Sequence, residues 1–170
     1  MTYESPYIQG WKRPEELTFL FEIAKRFVTI AEIGSWRGRG THALCSGCSG
    51  TVTAIDPWDT LHYGRPELKA AEGRDIFAEF QENMKGFTNL RIWRMASEDV
   101  RTDEKFEMVF LDARKTYEAY VADITRWLPR TTKLIAGYDY HNVKPVGVER
   151  AVRDTLGAVN FFGNIWTKQL

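Results

Sequence analysis

Apolar positions along the chain switch repeatedly between helical spacing and short continuous runs. Leu17, Leu20, Phe21, Ala24 and Phe27 recur at helical intervals. With Pro14 at a first helical position and Glu15 and Glu16 in a first turn, they predict an amphipathic helix ending near Arg26. Strands are predicted where β-branched and apolar residues run together: Thr29–Ile33, 51–55, Leu90–Arg94, Phe106–Leu111 and 134–136. Between them, helical spacing predicts helices over 40–45, 74–85, 116–128 and Val146–Leu156, and a short helical turn at 96–99. Residues 159–162 and 165–168 read as two strands joined by Gly163-Asn164. Residues 1–13 and 59–71 show no period and read as an irregular arm and a loop.

Helices alternating with short apolar strands predict an α/β fold. The expected form is a Rossmann-like three-layer sandwich, its seven-stranded, mostly parallel sheet closed by an antiparallel C-terminal hairpin. At 170 residues the chain is expected to be a single domain, 1–170, with residues 1–28 as an N-terminal arm and helix that cap an acceptor pocket. With 23 basic and 23 acidic residues the formal charge is zero, which argues against nucleic acid as the main partner. No apolar run approaches the roughly 20 residues of a membrane span, and no secretory signal is visible, so a cytoplasmic location is expected. Cys45 and Cys48 have the spacing of half a zinc site, but His42, His62 and His141 offer no matching pair, and a structural role is expected for both.

The chemistry concentrates after the first strand, in Glu32-Ile33-Gly34-Ser35-Trp36-Arg37-Gly38-Arg39-Gly40-Thr41. Its glycines permit a tight turn around a ligand, and the amides of the following helix start face whatever lies there. Polar residues close each strand: Glu32, Asp56, Ser97, Asp112 and Asp139. In open α/β sheets ligands bind beyond those ends. A dinucleotide turn also has glycines here, but an acid inside the first strand suits a cationic cofactor better than a pyrophosphate. The spacing Gly34-x-x-x-Gly38-x-Gly40 also departs from G-x-G-x-x-G.

These residues resemble the class I S-adenosylmethionine-dependent methyltransferases. By that resemblance Glu32, Gly34, Ser35, Trp36, Gly38, Gly40 and Thr41 hold the amino-acid end of S-adenosylmethionine, and Asp56 takes the ribose hydroxyls. Trp58 lies against the adenine or closes the site, Ala96, Ser97 and Glu98 contact the adenine edge, and Asp112 matches the fourth-strand motif. Asp112-Ala113-Arg114-Lys115 is similar to the D-x-x-K segment of small metal-dependent O-methyltransferases, which implies Asp112 as a Mg²⁺ ligand, with Asp139 as a second, and Lys115 as general base. His141 is the other candidate base. Tyr138-Asp139-Tyr140-His141-Asn142 departs from that group's Asp-Asn, and Gly137-Tyr138-Asp139-Tyr140 looks more like a broader branch that includes sugar and small-metabolite enzymes. Lys115 reads equally well as a solvated helix residue, and Arg37 and Arg39 as surface charge. The implied reaction is methyl transfer to an oxygen of a small molecule. A non-catalytic cofactor-binding protein, or a subunit of a larger enzyme, stays open, as does the oligomeric state, a homodimer included.

Overall fold

Seven strands make one sheet among residues 3–59, 69–141 and 146–170, which the computed structural model describes. In chain order the elements are α1 (Pro14–Ala24), β1 (Thr29–Ile33), α2 (Arg39–Gly47), β2 (Thr51–Asp56), α3 (Ile76–Met84), β3 (Leu90–Arg94), β4 (Phe106–Leu111), α4 (Tyr117–Trp127), β5 (Thr131–Gly137), α5 (Val146–Leu156), β6 (Asn160–Phe162) and β7 (Ile165–Gln169). The strands lie in the order β3-β2-β1-β4-β5-β7-β6. The first five are parallel, β7 runs antiparallel to β5, and β6 antiparallel to β7. This is the expected three-layer sandwich with its terminal hairpin.

The sheet's two faces follow from the period of two along each strand. Ile30, Val52, Ala54, Met108, Phe110, Leu134 and Ala136 pack against α1, α2 and α3. Ala31, Ile33, Ile55, Val109, Leu111 and Ile135 face α4 and α5, where Tyr120, Trp127 and Trp166 are fully buried. Glu32, two residues from Ile30, shares its face, so the one acid of β1 points toward the α1–α2 layer. Tyr138 follows the same phase after Leu134 and Ala136, and packs in that layer too.

Most boundaries agree with the sequence pattern to within two residues. β5 is longer than the 134–136 expected, because the polar, β-branched Thr131-Thr132-Lys133 pairs beside β4 as strand although it carries no apolar run. Residues 69–71 are helical where a loop was expected. Residues 60–68 of that loop lie outside the described residues. No described helix is long and apolar enough to cross a membrane.

The sheet order reverses direction between β1 and β4. That is the topological switch point, where two neighbouring crossovers depart to opposite faces and leave a crevice at the strand ends. Gly34 and Asp112 stand at its two lips, with Asp112 N donating to the Ile33 carbonyl at 2.7 Å.

Candidate cofactor and active site

The loop after β1 is held from below by Asp56, at the end of β2. One carboxylate oxygen accepts from the amides of Ser35 (2.9 Å) and Trp36 (3.0 Å), the other from that of Trp58 (2.7 Å). These bonds fix Trp36 and Trp58 at positive φ, 51° and 47°, a conformation disfavoured for bulky residues. Asp56 thus shapes the loop.

Glu32 is buried beneath the loop. One of its oxygens accepts from Ser35 Oγ at 2.8 Å and Thr41 Oγ1 at 2.5 Å. Its other oxygen faces Gly40, where an added Cβ would come within 2.6 Å of it. Gly40 therefore keeps the first turn of α2 open above the acid. Burial is the largest influence on Glu32 and pushes its carboxyl up to about 7, against the pull of Lys12 and of the Thr41 and Ser35 hydroxyls. The folded chain then keeps a proton that the unfolded chain releases above the ordinary 4.5, so this group lowers stability as pH rises from 4.5 toward about 7. Glu32→Gln is expected to remove that slope. Its stability relative to wild type should rise between about pH 5 and pH 8, by up to about 3 kcal/mol, in urea titrations; parallel curves would count against it.

At the lip formed by β4 and β5, three charged side chains converge. Lys115 Nζ pairs with Asp112 and lies 3.4 Å from Asp139 Oδ2. The second oxygen of Asp112 pairs with Lys12, from the N-terminal segment. Burial would raise the Asp112 carboxyl, but Lys115 and Lys12 outweigh it and hold it below its ordinary range. Burial would lower the Lys115 ammonium, yet Asp112 and then Asp139 outweigh that and raise it. Lys115 is thus held between two carboxylates rather than standing free in solvent. Asp139 sits at φ 67°, in the left-handed region that Asp tolerates better than most residues.

Several of the expected cofactor contacts also have inner partners. The Trp58 ring is buried against Phe77 (5.0 Å) and Phe80 (4.6 Å), and its Nε1 donates to the Trp36 carbonyl at 2.7 Å. Ser97 faces inward, donating to Asp123 at 2.5 Å and accepting from Trp127 Nε1 at 2.9 Å, because α4 presents those two groups beneath it. Ala96 is buried beside it, while Glu98 pairs with Arg114 at 2.9 Å. His141 is exposed, its ring edge-on to Phe161 (4.5 Å) and Tyr140 (4.9 Å) at the hairpin rather than among the Lys115 carboxylates.

Arg37 and Arg39 are not surface charges. Arg37 is 1% exposed, 2.7 Å from Glu79, and donates to Gln9 and to the Ala70 carbonyl. Arg39 donates to the Lys12 carbonyl at 2.9 Å and the Ile8 carbonyl at 2.6 Å. Together they bind the N-terminal arm across the loop. Tyr3 completes the anchorage, with its hydroxyl 2.9 Å from His42 Nδ1 and its ring stacked on Phe21. The arm brings in Lys12, which the sequence reading did not single out. No local signal marks it, since residues 1–13 have no period and the partners are far along the chain.

Metal ligands are less well provided. No group of three His, Cys, Asp or Glu side chains suited to a metal occurs among the described residues. Asn142 lies outside them. Asp112 and Asp139 do approach each other, but around the ammonium of Lys115.

A family model described as a methyltransferase domain matches residues 31–133. The chain belongs to this family. Its members' donor, S-adenosylmethionine, is accordingly the cofactor of this methyltransferase, which fits the buried acid, the glycine loop and the switch-point crevice. The likeness extends to solved structures. NodS, an N-methyltransferase from Bradyrhizobium japonicum in complex with S-adenosylhomocysteine, has a TM-score of 0.67 at 11% identity over 91% of this chain and 85% of its own. The O-methyltransferase from Bacillus cereus, in complex with the same product, gives 0.63 at 17% over 92% and 81%. CalS11, a TDP-rhamnose 3'-O-methyltransferase, gives 0.61 at 13% over 91% and 77%. At such identities the likeness speaks for the fold. None of the curated proteins compared matches the sequence.

Proposed function

We propose that the methyltransferase moves the methyl group onto an oxygen of a small molecule held between the N-terminal arm and the ends of β4 and β5. One observation carries this reading: the Lys115 ammonium set between Asp112 and Asp139 beside the glycine loop. When bound, S-adenosylmethionine supplies an electrophilic methyl on a sulfonium. A hydroxyl acceptor must lose its proton as the new O–C bond forms and the S–C bond breaks, its electron pair staying on sulfur. Lys115, held as a cation, favours the developing oxyanion, and Asp139 beside it takes the proton. Most of the acceleration comes from aligning the two reactants, which the arm assists by covering the crevice.

In this reading residues 1–28 serve as the acceptor cap of a single cytoplasmic domain, with Glu32, the loop from Gly34 to Thr41, Asp56 and Asp112 around the cofactor. Among the fold's neighbours are enzymes named for O- and for N-methylation, so the choice of oxygen rests on the charge cluster. Mg²⁺ at Asp112 and Asp139 would have to displace Lys115, so the reading routes no step through it.

Transfer of labelled methyl to a panel of catechols, sugars and amines, with Mg²⁺ or with a chelator, tests it. Hydroxyl acceptors are expected to be methylated with the chelator present. Transfer to amines alone would sink the oxygen reading, and activity lost on chelation and restored by Mg²⁺ would sink the metal-free one.

A further inference from the structure

Lys12 is the second cation of the crevice, and it differs from Lys115 in every respect that bears on a ligand. Lys115 is shared between two aspartates of its own lip, whereas Lys12 comes from the arm and pairs with Asp112. Its side chain is 8% exposed, with Nζ 4.9 Å from the Tyr138 ring centre and 5.4 Å from that of Phe110. It also reaches the first turn of α2, since an added Cβ on Gly40 would come 3.2 Å from Nζ. Gly38, the N-cap of that helix, supplies no side-chain cap. Lys12 thus places a buried ammonium at the amides of a helix start, paired with Asp112 and close to the Glu32 carboxyl, while Asp139 is held by Lys115.

The amino-acid end of the cofactor is a zwitterion. Its ammonium suits those carboxylates, but its carboxylate would be repelled by them unless a cation faces it. We propose that Lys12 is the residue that binds the cofactor's α-carboxylate, its ion pair with Asp112 opening to re-form as two pairs, Lys12 with the carboxylate and Asp112 with the ammonium. The exchange leaves no buried charge single, which is the condition for breaking a desolvated pair without a large penalty. Arg39 holds the arm's backbone at Lys12 and Ile8. Gly10 permits the close approach, since an added Cβ would meet Arg39 Cδ at 2.7 Å. The cation is thereby presented from a fixed backbone.

This inference rests on the placement of the cofactor's amino-acid end beside Glu32 and Asp112. A two-by-two comparison tests it by calorimetry: wild type and Lys12→Met, each with S-adenosylhomocysteine and with its decarboxylated analogue, S-adenosyl-3-thiopropylamine. In wild type, loss of the ligand's carboxylate is expected to weaken binding about tenfold to a hundredfold; in Lys12→Met it should cost little. Lys12→Arg, which keeps the charge, should retain the discrimination. Equal affinity of wild type for the two ligands overturns the proposal without recourse to any variant. So does a carboxylate effect that persists in Lys12→Met, or a Lys12→Met protein that binds S-adenosylhomocysteine more tightly than wild type. Failure of wild type to bind either ligand would instead overturn the placement of the cofactor itself.

Discussion

Gly34→Ala is expected to destabilise the protein by more than about 3 kcal/mol and to abolish cofactor binding. Two independent costs meet at this position. Its φ of +91° is one that a residue with a Cβ rarely adopts. The added carbon would also lie 2.6 Å from the carbonyl carbon and oxygen of Asp112 and 2.7 Å from Ala113 Cα. All three are main-chain atoms, so no side chain can swing aside. Relief would require separating the ends of β1 and β4, where Asp112 N donates to Ile33 O at 2.7 Å, while Gly34 N is held to β2 by Ile55 O at 2.8 Å. The first bond sets the width of the switch-point crevice, and the second keeps Gly34 from moving out of it. Urea denaturation with calorimetric titration of S-adenosylhomocysteine reads both effects. A loss below about 1 kcal/mol with binding intact would show that the crevice tolerates widening.

Asp112→Asn should produce the other large effect, through charge rather than shape. The carboxylate pairs with two ammonium groups that are mostly withdrawn from water, Lys12 and Lys115. Its amide replacement leaves Lys12 without this ion pair and Lys115 with Asp139 alone. Removing one member of a buried ionic group costs about 3–5 kcal/mol, because the remaining charges stay desolvated. Since the lysines hold the Asp112 carboxyl below its ordinary 3.8, its stabilising contribution is full above that pH and is lost as pH falls through the depressed value. The gap between wild type and Asp112→Asn should therefore be largest near neutrality and shrink in acid. A gap that is small, or unchanged by acid, would mean that the two lysines draw little from this carboxylate. Cofactor affinity should fall at least about a hundredfold, as the variant loses the partner assigned to the cofactor's ammonium.

The two variants mark different degrees of legibility. Gly34 was readable as a necessary glycine from its place between an apolar strand and a helix start. Asp112 was readable as a site residue from its place at a strand end. Its lysine partners were less readable. Lys115, three residues on, was in view but looked equally like a solvated helix residue. Its pairing with both Asp112 and Asp139, the latter just past β5, is what sets it apart from a solvated helix residue. Trp58 and Ser97 follow strand ends where a ligand contact was expected, and what the sequence left out of view is that α3 and α4 supply inner partners for both, Phe77, Phe80, Asp123 and Trp127.

Local pattern determined the elements, the alternation that makes the sheet parallel, and the acid-then-glycine signature that points to S-adenosylmethionine. These are properties of neighbours along the chain, and a period of two or of 3.6 records them directly. Tertiary structure alone decided which charges meet. Lys12 and Asp112 are 100 residues apart. An ion pair across such a distance leaves no period, because its partners are placed by the strand order and by an arm whose own sequence is irregular. The depth of Glu32 was likewise invisible, since burial depends on the helices laid over β1, and it is burial that carries its carboxyl toward neutrality.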